Sequence, residues 1–158
     1  MEPLPAGGRG CLLRGISAMT FTVFGTPAPQ GSKRHVGNGV MIESSKKVKP
    51  WRQAVEYAAL EALPFRARLD PIVIRGPVDV GIVFSMHRPK SAKKCAMPDR
   101  KPDIDQLCRS TLDSLVTSGM IEDDARIVSL SAVKLYAGDR KGLPVPGAII
   151  SITHASQN

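Results

Sequence analysis

Between Pro102 and Gly119 the apolar residues Ile104, Leu107, Cys108, Leu112, Leu115 and Val116 recur at spacings of three and four, and no other stretch constrains the fold as tightly. This period lays one apolar stripe along a helix. Proline is tolerated only near a helix start, and glycine supplies the stop. Asp103 and Asp105 therefore stand at the beginning of the best helix in the chain.

Around that helix the pattern changes to a period of two. Pro77 to Met86 alternates with β-branched enrichment and predicts a strand ending at Arg88-Pro89. Residues 126 to 136 and 148 to 153 predict two more strands, separated by Gly138-Asp139-Arg140-Lys141-Gly142, and they look like a long hairpin. Upstream, Met19 opens an alternating strand that runs to Phe24. Gly25, Pro27, Pro29 and Gly31 then force a loop into Ser32 to Val36. Gly37-Asn38-Gly39 is a hairpin turn signal before a short strand at Val40 to Ile42. Pro50 suits the first turn of a second helix, which starts near Trp51 and ends at Pro64, with Trp51 packing in the core or at the helix end. The order β, β, α, β, α, β, β predicts an α+β single domain with a mixed or antiparallel sheet and about two helices packed on one face. The domain is expected over residues 19 to 156. Residues 1 to 18, rich in Gly, Pro and Arg without a period, are expected to be a disordered amino-terminal extension or an over-long start assignment.

At 158 residues the chain fits one domain. No apolar run approaches the roughly 20 residues of a membrane span, and the opening lacks the sustained apolar core of a signal peptide, so a cytoplasmic protein is expected. Cys11, Cys95 and Cys108 form no paired motif, which argues against a disulfide framework or a zinc knuckle; Cys108 falls on the apolar helix stripe. The net charge of +8 points to a polyanionic partner. Residues 30 to 52, with Lys33 and Arg34, and residues 87 to 101, with Lys93 and Lys94, each carry +5, leaving the rest of the chain at −2. Two such windows with few aromatics suit DNA phosphates better than base stacking, and those four residues are the candidate DNA contacts. His87 is a candidate phosphate contact or proton shuttle, against the plainer reading of a solvated loop histidine; His35 and His154 carry no functional expectation.

Against this basic background five carboxylates fall in two tight groups, Asp103 with Asp105, and Glu122 with Asp123 and Asp124. If Asp103 to Asp105 is extended, the two side chains point one way and can share a cation; inside a helix they diverge by about 200°. The second group follows the helix stop, where the chain can return alongside the helix. Mg²⁺ takes oxygen ligands and keeps several waters, so two or three carboxylates suffice, and phosphodiester hydrolysis needs such a metal-activated water. The competing reading is structural: aspartate is a favoured helix cap and turn residue.

Lys101-Pro102-Asp103-Ile104-Asp105-Gln106-Leu107, a helix, and then Asp123-Asp124-Ala125-Arg126-Ile127-Val128 resembles the signature of the RusA family of Holliday-junction resolvases. In that family an Asp-x-Asp-Asn-Leu stretch opens a helix, and an Asp-Asp pair roughly 20 residues later precedes a strand. The resemblance implies catalytic and metal-holding roles for Asp103, Asp105 and Asp124, with Mg²⁺ as cofactor and Mn²⁺ as an alternative, and a supporting role for Asp123. It also implies a homodimer that resolves four-way DNA junctions by paired symmetric nicks, and a phage or prophage origin. Arg109 stands where the family has a functional lysine, which keeps the charge but not a proton-donating ammonium. Gln106 replaces the family's asparagine. Three rivals remain open at this level: a non-catalytic DNA-binding protein, a nuclease for forks or flaps, and an interaction protein with an acidic partner.

Overall fold

The computed structural model describes residues 18–31, 33–35, 37–43, 46–69 and 73–155, with backbone alone for 33–35, 41–43 and 66. The expected amino-terminal extension, apart from Ala18, lies outside the described residues. The elements are β1 (Ala18–Phe24), β2 (Lys33–His35), β3 (Met41–Glu43), α1 (Val48–Ala62), β4 (Val78–Met86), α2 (Ile104–Thr117), β5 (Ile127–Tyr136) and β6 (Gly147–His154), with 3-10 turns at Phe65–Leu69 and Asp124–Arg126. This is the α+β class the patterning predicts, with one strand more: Lys33–His35, expected as loop, pairs with Met41–Glu43 because the Gly37-Asn38-Gly39 turn folds the two segments together.

Four strands form one mixed sheet in the order β1-β6-β4-β5, and β2 with β3 forms a small hairpin around Gly37-Asn38-Gly39. Alternate residues Val80, Ile82 and Phe84 of β4, Ile150 and Ile152 of β6, and Phe21 and Val23 of β1 are buried and paired in register. They meet α1 and α2, which pack on each other. Trp51 of α1 is 1% exposed, and its indole Nε1 donates to Thr111 Oγ1 of α2 at 3.1 Å, so a core aromatic satisfies its polar atom on the partner helix.

The expected hairpin of the last two strands does not form. β5 runs parallel to β4, β6 runs antiparallel to it, and β4 therefore separates them. The reason is burial: β4 is buried or half-buried along its whole length and takes the centre, whereas β5 is exposed along much of its length and takes the edge. Parallel β4 and β5 need a crossover, which α2 supplies. The chain after β5 turns across the end of β4 instead of folding back. Leu143 N donates to the buried Ser85 Oγ at 2.7 Å, and a side chain at Gly142 would meet that oxygen at 2.9 Å.

Candidate active site

Helix α2 is bounded as its sequence predicts. Asp103 is its N-cap in extended conformation, and Gly119, at φ +77°, opens a Schellman stop in which Met120 N reaches Leu115 O and Gly119 N reaches Val116 O, both at 3.0 Å. The extended lead-in ends at Asp103, because Asp105 already lies in the first helical turn, where a carboxylate suits the positive end of the helix dipole. The two carboxylates of the Asp-x-Asp stretch therefore do not stand side by side on one strand.

A cavity of about 430 Å³ opens between α2 and β5. Its apolar wall includes Cys108, Leu112, Leu130 and Ala132, and its polar rim is Asp105, Arg109, Asp113 and Asp124. Asp105, Arg109 and Asp113 are four residues apart and so share one helix face. Asp124 arrives from the 3-10 turn that packs against α2. The predicted meeting of Asp105 and Asp124 across about 20 residues of chain is thus present; Asp103, exposed at the helix start, is not among the cavity walls.

The capping role falls on one member of the Asp-Asp pair. Asp123 accepts from Ala125 N at 2.8 Å and caps the 3-10 turn. That bond first, and then the adjacent Asp124 carboxyl and nearby Arg126, hold Asp123 below the usual carboxylate range. Asp103 makes no side-chain cap bond, and neither Asp103 nor Asp105 makes an ion pair or side-chain hydrogen bond with the other described residues. Burial, and then the negative charge of Asp105, push the Cys108 thiol upward.

The loop after β1 is fastened along α2. Ser110 Oγ donates to Ala28 O at 2.6 Å, Gln30 N to Gln106 O at 3.0 Å, and Gln30 Nε2 to Asp113 Oδ2 at 2.5 Å. A side chain at Gly31, where φ is +112°, would come within 3.1 Å of Arg109 Nη1. The backbone of Lys33 and Arg34 in β2 begins two residues later. Lys93 and Lys94 are exposed in the loop before α2, where Arg88 holds their carbonyls at 3.1 and 3.5 Å; they line neither this cavity nor the larger one described below. Sequence reasoning did not single out Asp113 or Gln30. The four-residue step from Arg109 was the available signal for Asp113, whereas Gln30 becomes visible only through its contact.

Among the described residues no three His, Cys, Asp or Glu side chains are gathered into a group that could hold a metal ion. Carboxylates from two separate segments on one cavity rim nevertheless match the oxygen-only, partly hydrated coordination of Mg²⁺. The donor set fits an open site completed by water and substrate, and does not fit a closed protein cage.

No helix among the described residues is long and apolar enough to cross a membrane. No curated protein matches the chain. The family model described as "Endodeoxyribonuclease RusA" matches residues 25–145, from the turn after β1 to the approach to β6, a span that holds Gln30, all of α2 and Asp124. The chain belongs to the RusA endodeoxyribonuclease family, and the protein is a DNA-cutting enzyme.

Proposed function

We propose that the protein is a Mg²⁺-dependent endonuclease that resolves four-way DNA junctions by paired symmetric nicks. The observation that carries this reading is the presence of Asp105 and Asp124, from separate segments, on one cavity beside Arg109. Asp105 and Asp124 would hold the metal with Asp103 at the helix start, and Mn²⁺ would be an acceptable substitute. When bound, the metal supplies activation of the attacking water and neutralises charge on the phosphate. Arg109 is permanently charged, so it binds and orients a phosphate oxygen and does not deliver a proton. Asp123 supports the site by shaping the turn that presents Asp124. Lys33, Arg34, Lys93 and Lys94 contact the DNA backbone, which makes affinity steeply salt-dependent. A two-fold homodimer would match a two-fold junction and account for paired cuts.

The test is incubation of wild type and Asp105→Asn with labelled four-way junction, fork and linear duplex, in Mg²⁺ or in EDTA. Symmetric nicking of the junction that needs Mg²⁺ and vanishes in the variant, with binding retained, is the expected result. Cutting confined to forks or duplex would replace the junction reading with a broader nuclease, and binding without cutting would remove these aspartates from catalysis.

A further inference from the structure

The two basic windows, separated by more than thirty residues of chain, meet around a second cavity of about 530 Å³, at the end where parallel β4 and β5 finish. Lys47 comes from the first window, His87, Arg100 and Lys101 from the second, and Lys134 from β5; among the described residues no Asp or Glu lines it. The rest of the lining is apolar apart from Thr26 at the rim: Pro27, Pro98 and Tyr136 are buried beneath it, while Pro29 and Pro102 are half-buried and Pro89 is exposed. The walls are braced. Lys134 Nζ donates to the carbonyls of Arg100 and Pro102, both at 2.9 Å. Arg88 lies 4.9 Å from the Tyr136 ring centroid and pairs with Asp139, so its charge is already matched.

Four basic side chains around one small cavity repel one another, a cost that an anion relieves. Inorganic phosphate would leave the open proline faces unused, and a hydrocarbon would leave the cations unmatched. A nucleotide uses both: its base lies on flat apolar surfaces while its phosphate meets the cations. The volume falls within the range of roughly 300–1,000 Å³ that small-ligand cavities occupy.

We propose that this cavity takes one unstacked nucleotide of a DNA strand, and that the enzyme selects branched over fully paired DNA in this way. The inference deepens the junction reading above and rests on it. Pro102 walls this cavity, Asp103 follows it, and Asp105 faces the other cavity, so a strand with one nucleotide lodged here passes the start of α2. Lodging a base demands that it leave its stack, which is least costly where pairing is already interrupted, as at a branch point.

The experiment measures binding in EDTA, where no cutting occurs. The probes are a duplex with one unpaired 2-aminopurine nucleotide and the same duplex fully paired. The proteins are wild type, Thr26→Leu, which adds bulk at the exposed rim, and Arg100→Ala, with circular dichroism confirming the fold of each. Wild type should bind the unpaired probe about tenfold tighter than the paired one, on the scale of a single stacked base, with a change in 2-aminopurine emission. Both variants should reduce that preference to about twofold or less, Thr26→Leu with little effect on paired duplex. Equal affinity of wild type for the two probes, or a preference that survives in both variants, overturns the proposal. That outcome leaves Mg²⁺-dependent junction nicking untouched. A retained preference in a protein that never nicks junctions would instead sink the junction-nuclease reading.

Discussion

Two cavities flank the start of α2 and divide the work between opposite charges. The one against β5 is rimmed by Asp105, Asp113 and Asp124 with Arg109, while the one at the far end of β4 and β5 carries Lys47, Arg100, Lys101 and Lys134 with no acid among its described lining. A nuclease must hold a polyanion and also concentrate negative charge where a cation is to sit, and these demands conflict at one point in space. Separating them across one helix start lets cations fix the strand while carboxylates remain available for metal. The comparison predicts that variants on the two sides fail in different ways.

The largest difference should come from Asp105→Asn. Nicking should fall on the order of 10²–10³-fold or more, as expected for a group needed at the reacting phosphate. Junction affinity should stay equal or rise, because a negative charge near the DNA is gone; a parallel loss of binding in a titration would collapse the distinction between the cavities. Next, Arg100→Ala combined with Lys101→Ala should weaken binding of every DNA and lower the slope of log affinity against log salt by about two, roughly 0.9 for each lost phosphate contact. The Mg²⁺ concentration for half-maximal nicking should not move, and a shift in it would show that this side also handles metal.

A smaller effect is expected at Lys134, which braces the segment leading to Asp103. Lys134→Met removes two bonds from a half-buried ammonium and should lower stability by about 1–2 kcal/mol in a urea titration. Junction affinity should also fall, since the variant removes a cation and loosens the cavity wall. Unchanged stability would mean that the wall is held by other contacts.

The smallest effect concerns Cys108, on the apolar wall of the acidic cavity. Its thiol is raised from the ordinary 9.0 by burial and by Asp105, so the folded state favours the neutral form. That stability is full below pH 9.0, where the unfolded thiol is also neutral, and is lost as pH rises through the higher folded value. Iodoacetamide at neutral pH should therefore label exposed Cys95 before Cys108, in a time course followed by peptide mass. Asp105→Asn removes the smaller of the two causes and should quicken Cys108 labelling slightly; a large increase would mean that the variant opens the cavity.

Much of α2 was legible because its signals are short-range. Periodicity, Pro102 upstream and Gly119 downstream act within a few residues, and the observed helix runs from Ile104 to Thr117 with a glycine stop. The Gly37-Asn38-Gly39 turn was legible for the same reason: its residues adopt positive φ and join β2 to β3. The fate of Asp123 and Asp124 was not. Both are acidic and adjacent, and only the turn geometry reveals that one caps Ala125 N while the other rims the cavity.

By itself, then, the sequence determined the main helices and strands other than β2, the α+β class, the concentration of positive charge in two windows and the position of the Asp-x-Asp stretch at a helix start. Tertiary structure alone decided that β4 separates β5 from β6, that Asp113 and Gln30 belong to the acidic side, and that both basic windows converge on one cavity. Local conformation follows from sterics and hydrogen bonding among near neighbours, which a sequence displays directly. Long-range placement follows from which strand can bury both of its sides, a competition among all elements at once, and neighbouring segments carry no record of its outcome.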